Sequence, residues 1–277
     1  MLNLSKLGPV LRALPNKGKA RWLGPLVEGA GLVETKLHGY RMRLDLNDYV
    51  QRGTFLGCYE YAEIETCKSL LKRGGAVLDV GANCGCYTAM FCRAVGEKGL
   101  VIAIEPSPRM QARLREFKAG NPVPQLELLE AGLSESESML DLYVPPEGSG
   151  NDDAVMTEIP GYQPIQVPVT TLDALLAKHQ GIFKLLKIDV EGHEPKILRG
   201  GRTVLASGRV EFLLIEFNSY FLSVGGGSAD SLFELILELG FAPCQEKPRF
   251  AEKGLETLLF RHRSFVDEPV LSQAGNR

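Results

Sequence analysis

Short apolar runs, each closed by turn-forming or ionisable residues, recur along the chain at 76–80, 100–105, 126–130, 183–188 and 210–217. Runs of this length and pattern predict buried strands. Segments of helical length lie between them: about 86–95, Ser107 to about Lys118, about 172–179, about Pro195 to Leu205, and about 229–239. Ser107 and Thr171 are good N-cap residues, and Pro195 suits a first helical turn. Upstream, residues 32–46 alternate polar and apolar, which predicts a small hairpin turning at His38-Gly39. Residues 48–52 read as a connector. Ala62, Ile64, Cys67, Leu70 and Leu71 then recur at helical spacing up to Gly74-Gly75. Residues 139–144 alternate as a further strand. The proline- and glycine-bearing stretch 145–164 suits a lid, a binding loop or a surface insertion. Two last strands, near 241–245 and 255–261, are joined only by a loop and predict an antiparallel hairpin at a sheet edge.

Strands alternating with helices predict an α/β fold with a doubly wound, mostly parallel sheet. Ligands of such sheets sit beyond the carboxyl ends of the strands, near the point where strand order reverses. Asp79, Glu105, Gly132, Asp189 and Glu216 all fall at predicted carboxyl ends, which argues for one shared site.

Composition narrows this only slightly. A chain of 277 residues, 44% hydrophobic, suits one large α/β domain with an extension. The expected division is an N-terminal arm and hairpin over 1–58, a cofactor-binding domain over 59–262 and a tail over 263–277. A net charge of −3 carries no polyanion signal, so no nucleic-acid partner is expected. No apolar run reaches the roughly 18–20 residues of a membrane-spanning helix. Pro9, Arg12, Pro15 and Lys17 interrupt what would be a signal peptide's apolar stretch, so a cytoplasmic location is expected. The six cysteines fit no zinc spacing and read as reduced thiols. Residues 1–27 hold Lys6, Arg12, Lys17, Lys19 and Arg21 and no acid. Such a stretch is a helix packed on the domain or a basic amphipathic arm touching a membrane or a partner. Its apolar residues would also serve a homodimer contact.

The candidate chemistry begins at Asp79-x-Gly81-x-x-x-Gly85, between a buried strand and a helix start. Glycines there allow a ligand to approach the backbone and permit positive φ. Glu105 ends the next strand, where an acid can accept hydrogen bonds from both ribose hydroxyls. A dinucleotide site favours G-x-G-x-x-G, with pyrophosphate on the helix start. An acid before the first glycine instead suits a ligand with a cationic amino-acid end, such as S-adenosylmethionine (SAM). A second constellation, Lys187-Ile188-Asp189-Val190-Glu191-Gly192-His193-Glu194, packs three acids and a histidine around one glycine. Asp189 can sit near a sulfonium or orient an acceptor, and His193 has the ordinary pKa of a general base. Asp189, Glu191 and His193 are therefore the catalytic candidates. A divalent cation is possible, with Asp189, Glu216, Asn218 or His193 as ligands.

Taken together, Asp79-Val80-Gly81-Ala82-Asn83-Cys84-Gly85-Cys86-Tyr87-Thr88, Glu105-Pro106-Ser107, Thr171-Leu172-Asp173 and the block from Lys187 to Glu194 resemble the FkbM-type SAM-dependent methyltransferases. The resemblance spans roughly residues 40–220. It implies a class I methyltransferase (Rossmann-like) fold with a seven-stranded sheet. It implies that Gly81, Asn83 and Gly85 contact the methionine part of SAM and that Glu105 binds the ribose. It implies further that the segment around Gly132 and Leu133 borders the adenine. Asp79, Thr88, Pro106, Ser107 and Asp189 complete the cofactor-binding candidates. The implied activity is transfer of a methyl group, an EC 2.1.1 type reaction, to a hydroxyl of a sugar, glycolipid or natural product. Two other readings stand beside it: an NAD(P)-dependent oxidoreductase or epimerase, and a non-catalytic SAM-binding module. The first wants a third glycine and a Tyr-x-x-x-Lys pair, which the chain lacks.

Overall fold

The computed structural model describes residues 4–16, 18–146 and 154–265. Two short helices, α1 (Leu4–Arg12) and α2 (Lys19–Val27), precede a hairpin of β1 (Leu32–Leu37) and β2 (Tyr40–Asp45). His38 and Gly39 both take positive φ at its turn, the conformation that a two-residue hairpin loop requires. Helices α3 (Tyr49–Leu56) and α4 (Tyr61–Leu70) lead into the alternating core. The core runs β3 (Ala76–Val80), α5 (Cys86–Val95), β4 (Leu100–Ile104), α6 (Pro108–Gly120), β5 (Leu126–Leu129). Three strands follow: β6 (Gly132–Leu133), β7 (Ser138–Val144) and β8 (Gln163–Thr170). The chain then forms α7 (Leu172–Ala177), β9 (Phe183–Ile188), α8 (Glu194–Gly200), α9 (Arg202–Ala206) and β10 (Val210–Asn218). It closes with α10 (Ser219–Val224), α11 (Ala229–Glu238), β11 (Phe241–Pro243) and β12 (Leu255–His262).

Seven strands make the central sheet in the order β11-β12-β10-β9-β3-β4-β5. Strands β10, β9, β3, β4 and β5 are parallel, and β12 and β11 add the antiparallel hairpin at one edge. The fold is that of a class I, Rossmann-like methyltransferase. The chain winds outward from β3 to β5 and then returns to the other side of β3, so strand order reverses between β3 and β9. Side-chain period decides the two cores. Val77, Val101, Leu185 and Leu214 face one side with α5, α6, the hairpin and α3. Leu78, Ile102, Leu186 and Ile215 face the other with α7, α8 and α11.

Four local differences from the sequence reading have physical causes. Residues 48–52 are no simple connector: Asp48 Oδ1 accepts from Gln51 N at 2.8 Å and starts α3, which ends at Gly57 with φ 72°. The strand at 138–144 leaves the central sheet and joins β6 and β8 in a second, three-stranded one. Only Leu142 of its residues is buried, which does not suit a sheet covered on both faces. Strand β8 is hidden in sequence by Pro164 and Pro168. Thr170 gives its carbonyl to Ser134 N on the β6 side, so residues of the same parity, both prolines included, face a neighbour only two residues long. The helix expected over 195–205 is two, because Gly200 and Gly201 press against the Ser134 carbonyl and Leu172.

The basic N-terminal arm is packed, and two of its charges point inward. Arg12 donates to Phe55 O at 3.0 Å and also to Lys36 O, and buried Lys19 donates to Leu56 O at 3.2 Å. These cations satisfy carbonyls at the end of α3. Trp22 and Leu26 stay exposed on α2. No helix among the described residues is long and apolar enough to cross a membrane.

Candidate functional site

A cleft of about 1030 Å³, open to solvent, lies at the carboxyl ends of β3, β4, β9 and β10. Its floor is the turn after β3. Gly81 N and Ala82 N both donate to Ile104 O at 3.1 Å, tying the turn to β4. Gly81 has φ 78°, and a Cβ there would overlap the Asp189 carbonyl oxygen. Asn83 has φ 50°, and its Oδ1 accepts from Cys84 N at 2.6 Å. Such a local side-chain bond is what lets asparagine hold a left-handed backbone.

Glu105 is buried at the cleft wall. Its Oε2 accepts from Asn83 N and its Oε1 from Ser107 N, each at 2.8 Å. Two backbone donors fix the carboxylate at the cleft wall, and each carboxylate oxygen can accept more than one donor. Pro106, Ser107, Gly132 and Leu133 line the same wall. Asp79, Thr88 and Gly85 do not line the cleft, although they belong to the motif. Asp79 is fully buried beneath the turn, where its Oδ2 accepts from Thr88 Oγ1 at 2.6 Å. A Cβ at Gly85 would meet Leu114 at 2.9 Å, so this glycine serves the packing of α6.

The opposite wall is acidic. Asp189, Glu191 and Glu216 line it, with Lys187 and His193. Lys187 is buried and pairs with Asp189 Oδ2 at 2.8 Å, above the Tyr87 ring at 4.6 Å. Burial pulls its ammonium down, but Asp189, Asp79 and Glu60 outweigh that and raise it above the ordinary lysine range. Burial also raises Asp79, and Lys187 opposes the rise. Glu216 is pushed up to about 11 by burial and by Asp189, Glu191 and Glu194, with Lys187 opposing the rise. Glu194 is fully buried and raised to about 7 by burial, although Val190 N and Gly192 N donate to its Oε1.

His193 faces Ser134, its Nε2 3.1 Å from Ser134 Oγ, and burial lowers it to about 4. An imidazole so depressed is a weak base. It also makes stability pH-dependent. Between its folded value near 4 and its ordinary 6.5, the unfolded chain binds the extra proton. Stability is therefore expected to fall as pH drops through that window, by about 3 kcal/mol relative to His193→Gln. Urea denaturation of both proteins across the window checks this, and parallel curves would refute it.

Of the four metal candidates, the structure brings Asp189 and Glu216 together and adds Glu191. Asn218 turns its amide to Glu191 Oε2 at 2.8 Å instead. Sequence reasoning gave no role to Lys187, though a lysine inside the apolar run Phe183–Ile188 was a signal. It also gave no role to Val50 of the N-terminal extension, Tyr59, Tyr87, Ala154 and Met156, all of which line the cleft. Residues 147–153 of the expected loop lie outside the described residues.

A protein-family model, the methyltransferase FkbM domain, matches residues 79–243, more than half of the chain. Solved structures are similar to the chain at low identity. The methyltransferase FkbM from Methylobacillus flagellatus KT is 19% identical with a TM-score of 0.44, over 77% of this chain and 53% of that one. The match thus spans about half of that protein's length. Aeropyrum pernix fibrillarin, solved with natively bound S-adenosyl-L-methionine, is 10% identical with a TM-score of 0.43, over 72% and 73% of the two chains. An rRNA methylase from Streptococcus thermophilus is 11% identical with a TM-score of 0.45, over 73% and 95%. Read with the glycine turn, Glu105 and the acidic wall, the match over residues 79–243 settles the family: the chain belongs to the FkbM methyltransferases.

Proposed function

We propose that the protein transfers the methyl group of SAM to a hydroxyl of a sugar, glycolipid or natural-product acceptor. The observation that carries this reading is the pairing of Glu105 with the acidic wall across one cleft. One end offers carboxylate lone pairs to a ribose. The other offers acids to a ligand bearing an ammonium and a sulfonium. The residues fit the cofactor in a second respect: Gly81, Ala82 and Asn83 bring the turn to the cleft, and Gly81 passes so close to the Asp189 carbonyl that no Cβ would fit there. The nicotinamide alternative is set aside, because the chain belongs to a methyltransferase family and lacks the third glycine.

SAM supplies an electrophilic methyl group on a positively charged leaving group. The chain's task is then to hold the acceptor oxygen in line, exclude water and receive a proton. Glu105 anchors the ribose end, and Gly132 and Leu133 border the base. Asp189 and Glu191 stand where an acceptor hydroxyl can be oriented and its proton taken. His193 is the weaker candidate for that role, being bonded to Ser134 and lowered to about 4.

Calorimetric titration with SAM tests the reading. Wild type is expected to bind, and Glu105→Ala to bind about ten- to a hundredfold more weakly, a loss of about 1.5–3 kcal/mol. A wild type that binds no SAM would sink the proposal. Binding without methylation of any hydroxylated acceptor in a glycan and polyol screen would favour the non-catalytic module.

A further inference from the structure

Asp189 follows the last residue of β9, Glu191 lies two residues on in the turn, and Glu216 stands near the end of β10. One carboxylate oxygen from each lies within 4.8 Å of the others, and all three acids line the cleft. Lys187 forms an ion pair with Asp189, one acid of the three. Glu216 is 7% exposed, and its Oε2 has no hydrogen-bond partner among the described residues. A buried carboxylate oxygen without a donor is costly unless a ligand meets it. Glu191 is turned into place by a left-handed backbone, φ 52°, and by Asn218 Nδ2 on its Oε2. These features are independent of the charge count, and one oxygen of each acid comes together at the cleft.

We propose that Asp189, Glu191 and Glu216 bind a divalent cation of the hard, oxygen-seeking class, Mg²⁺ or Mn²⁺. The cluster offers carboxylate oxygens and no thiol or imidazole, which disfavours zinc and copper. Three carboxylates leave coordination positions free for water and for oxygens of a ligand. On the proposed methyl transfer, those positions would take the acceptor hydroxyl and acidify it. The site itself rests on the carboxylates and not on SAM.

The test therefore uses the metal alone. Chelator-stripped, full-length protein without SAM is titrated with Mn²⁺, and free ion is read by electron paramagnetic resonance. One ion per chain is expected at sub-millimolar affinity. Glu216→Gln and Glu191→Gln should each weaken it at least about tenfold. Glu97→Gln, on the exposed surface far along the chain, should not. No uptake at up to about 1 mM Mn²⁺, or equal uptake by wild type and both cluster variants, would overturn the site; the latter would mean adventitious binding. If Glu216→Gln fails to fold, the half-buried Glu191 decides the matter through its own variant. SAM affinity, measured separately on the same stripped protein, keeps a failure of this site distinct from a failure of the cofactor reading.

Discussion

Gly81→Ala is expected to cost on the order of 4 kcal/mol of stability and to abolish SAM binding. The added methyl would overlap the Asp189 carbonyl oxygen, and backbone cannot swing aside as a side-chain tip can. Relief would require β3 and β9 to part at the point where Asp189 N donates to Val80 O at 3.1 Å. The left-handed φ of 78° adds a conformational penalty of about 1 kcal/mol. Gly74→Ala separates the two terms, because Gly74 has φ 81° with nothing within 4 Å of its Cβ position. It should show the conformational penalty alone. Urea denaturation of the two variants measures the difference, and an equal loss in both would remove the steric argument.

Lys187→Met is expected to destabilise by about 3–5 kcal/mol at neutral pH. The methionine keeps the bulk of the stem but withdraws the ammonium from Asp79, Asp189 and Glu60. Asp79 is the most exposed to this loss in energetic terms: it is completely buried, and among the described residues its Oδ1 has no hydrogen-bond partner and Thr88 bonds its Oδ2. The deficit should shrink as pH falls. Asp79, already raised, rises further without the lysine, so protonating it removes the buried charge in the folded state. Below the ordinary carboxylate range both states hold the proton and the penalty from this group is gone. A deficit that stays constant down to pH 3 would show that packing and not charge explains the loss.

The sequence exposed the parts of this molecule whose periodicity is strong. The runs at 76–80, 100–105 and 183–188 are nearly all apolar because both faces of the sheet are covered, so their identity as strands did not depend on tertiary context. The second sheet was harder to see. Strand β8 carries two prolines, and β6 is two residues long, so neither has a period to detect. Among the candidate residues, Glu105 and Gly81 were placed at the cleft from sequence because each follows directly on a strand end. Lys187 was not, because its partners Asp79 and Glu60 come from other segments and meet it only after the sheet has formed. For His193 the residue type suggested a base, and burial against Ser134 changed its chemistry. Asp79 and Thr88 show the converse: the motif is read correctly, yet both stand behind the cleft.

Asn83 and Glu191 both line the cleft in left-handed backbone, without being glycines. Each holds of order 1–3 kcal/mol of conformational strain. Anyone selecting this protein for heat resistance alone would be drawn to these two positions, because glycine there releases the strain at no steric cost. The hardier protein would then have given up an asparagine under the cofactor turn or a carboxylate of the acidic wall. On the proposed function, thermal tolerance and turnover would be set against each other at the same two residues, so a selection for robustness should hold both of them fixed.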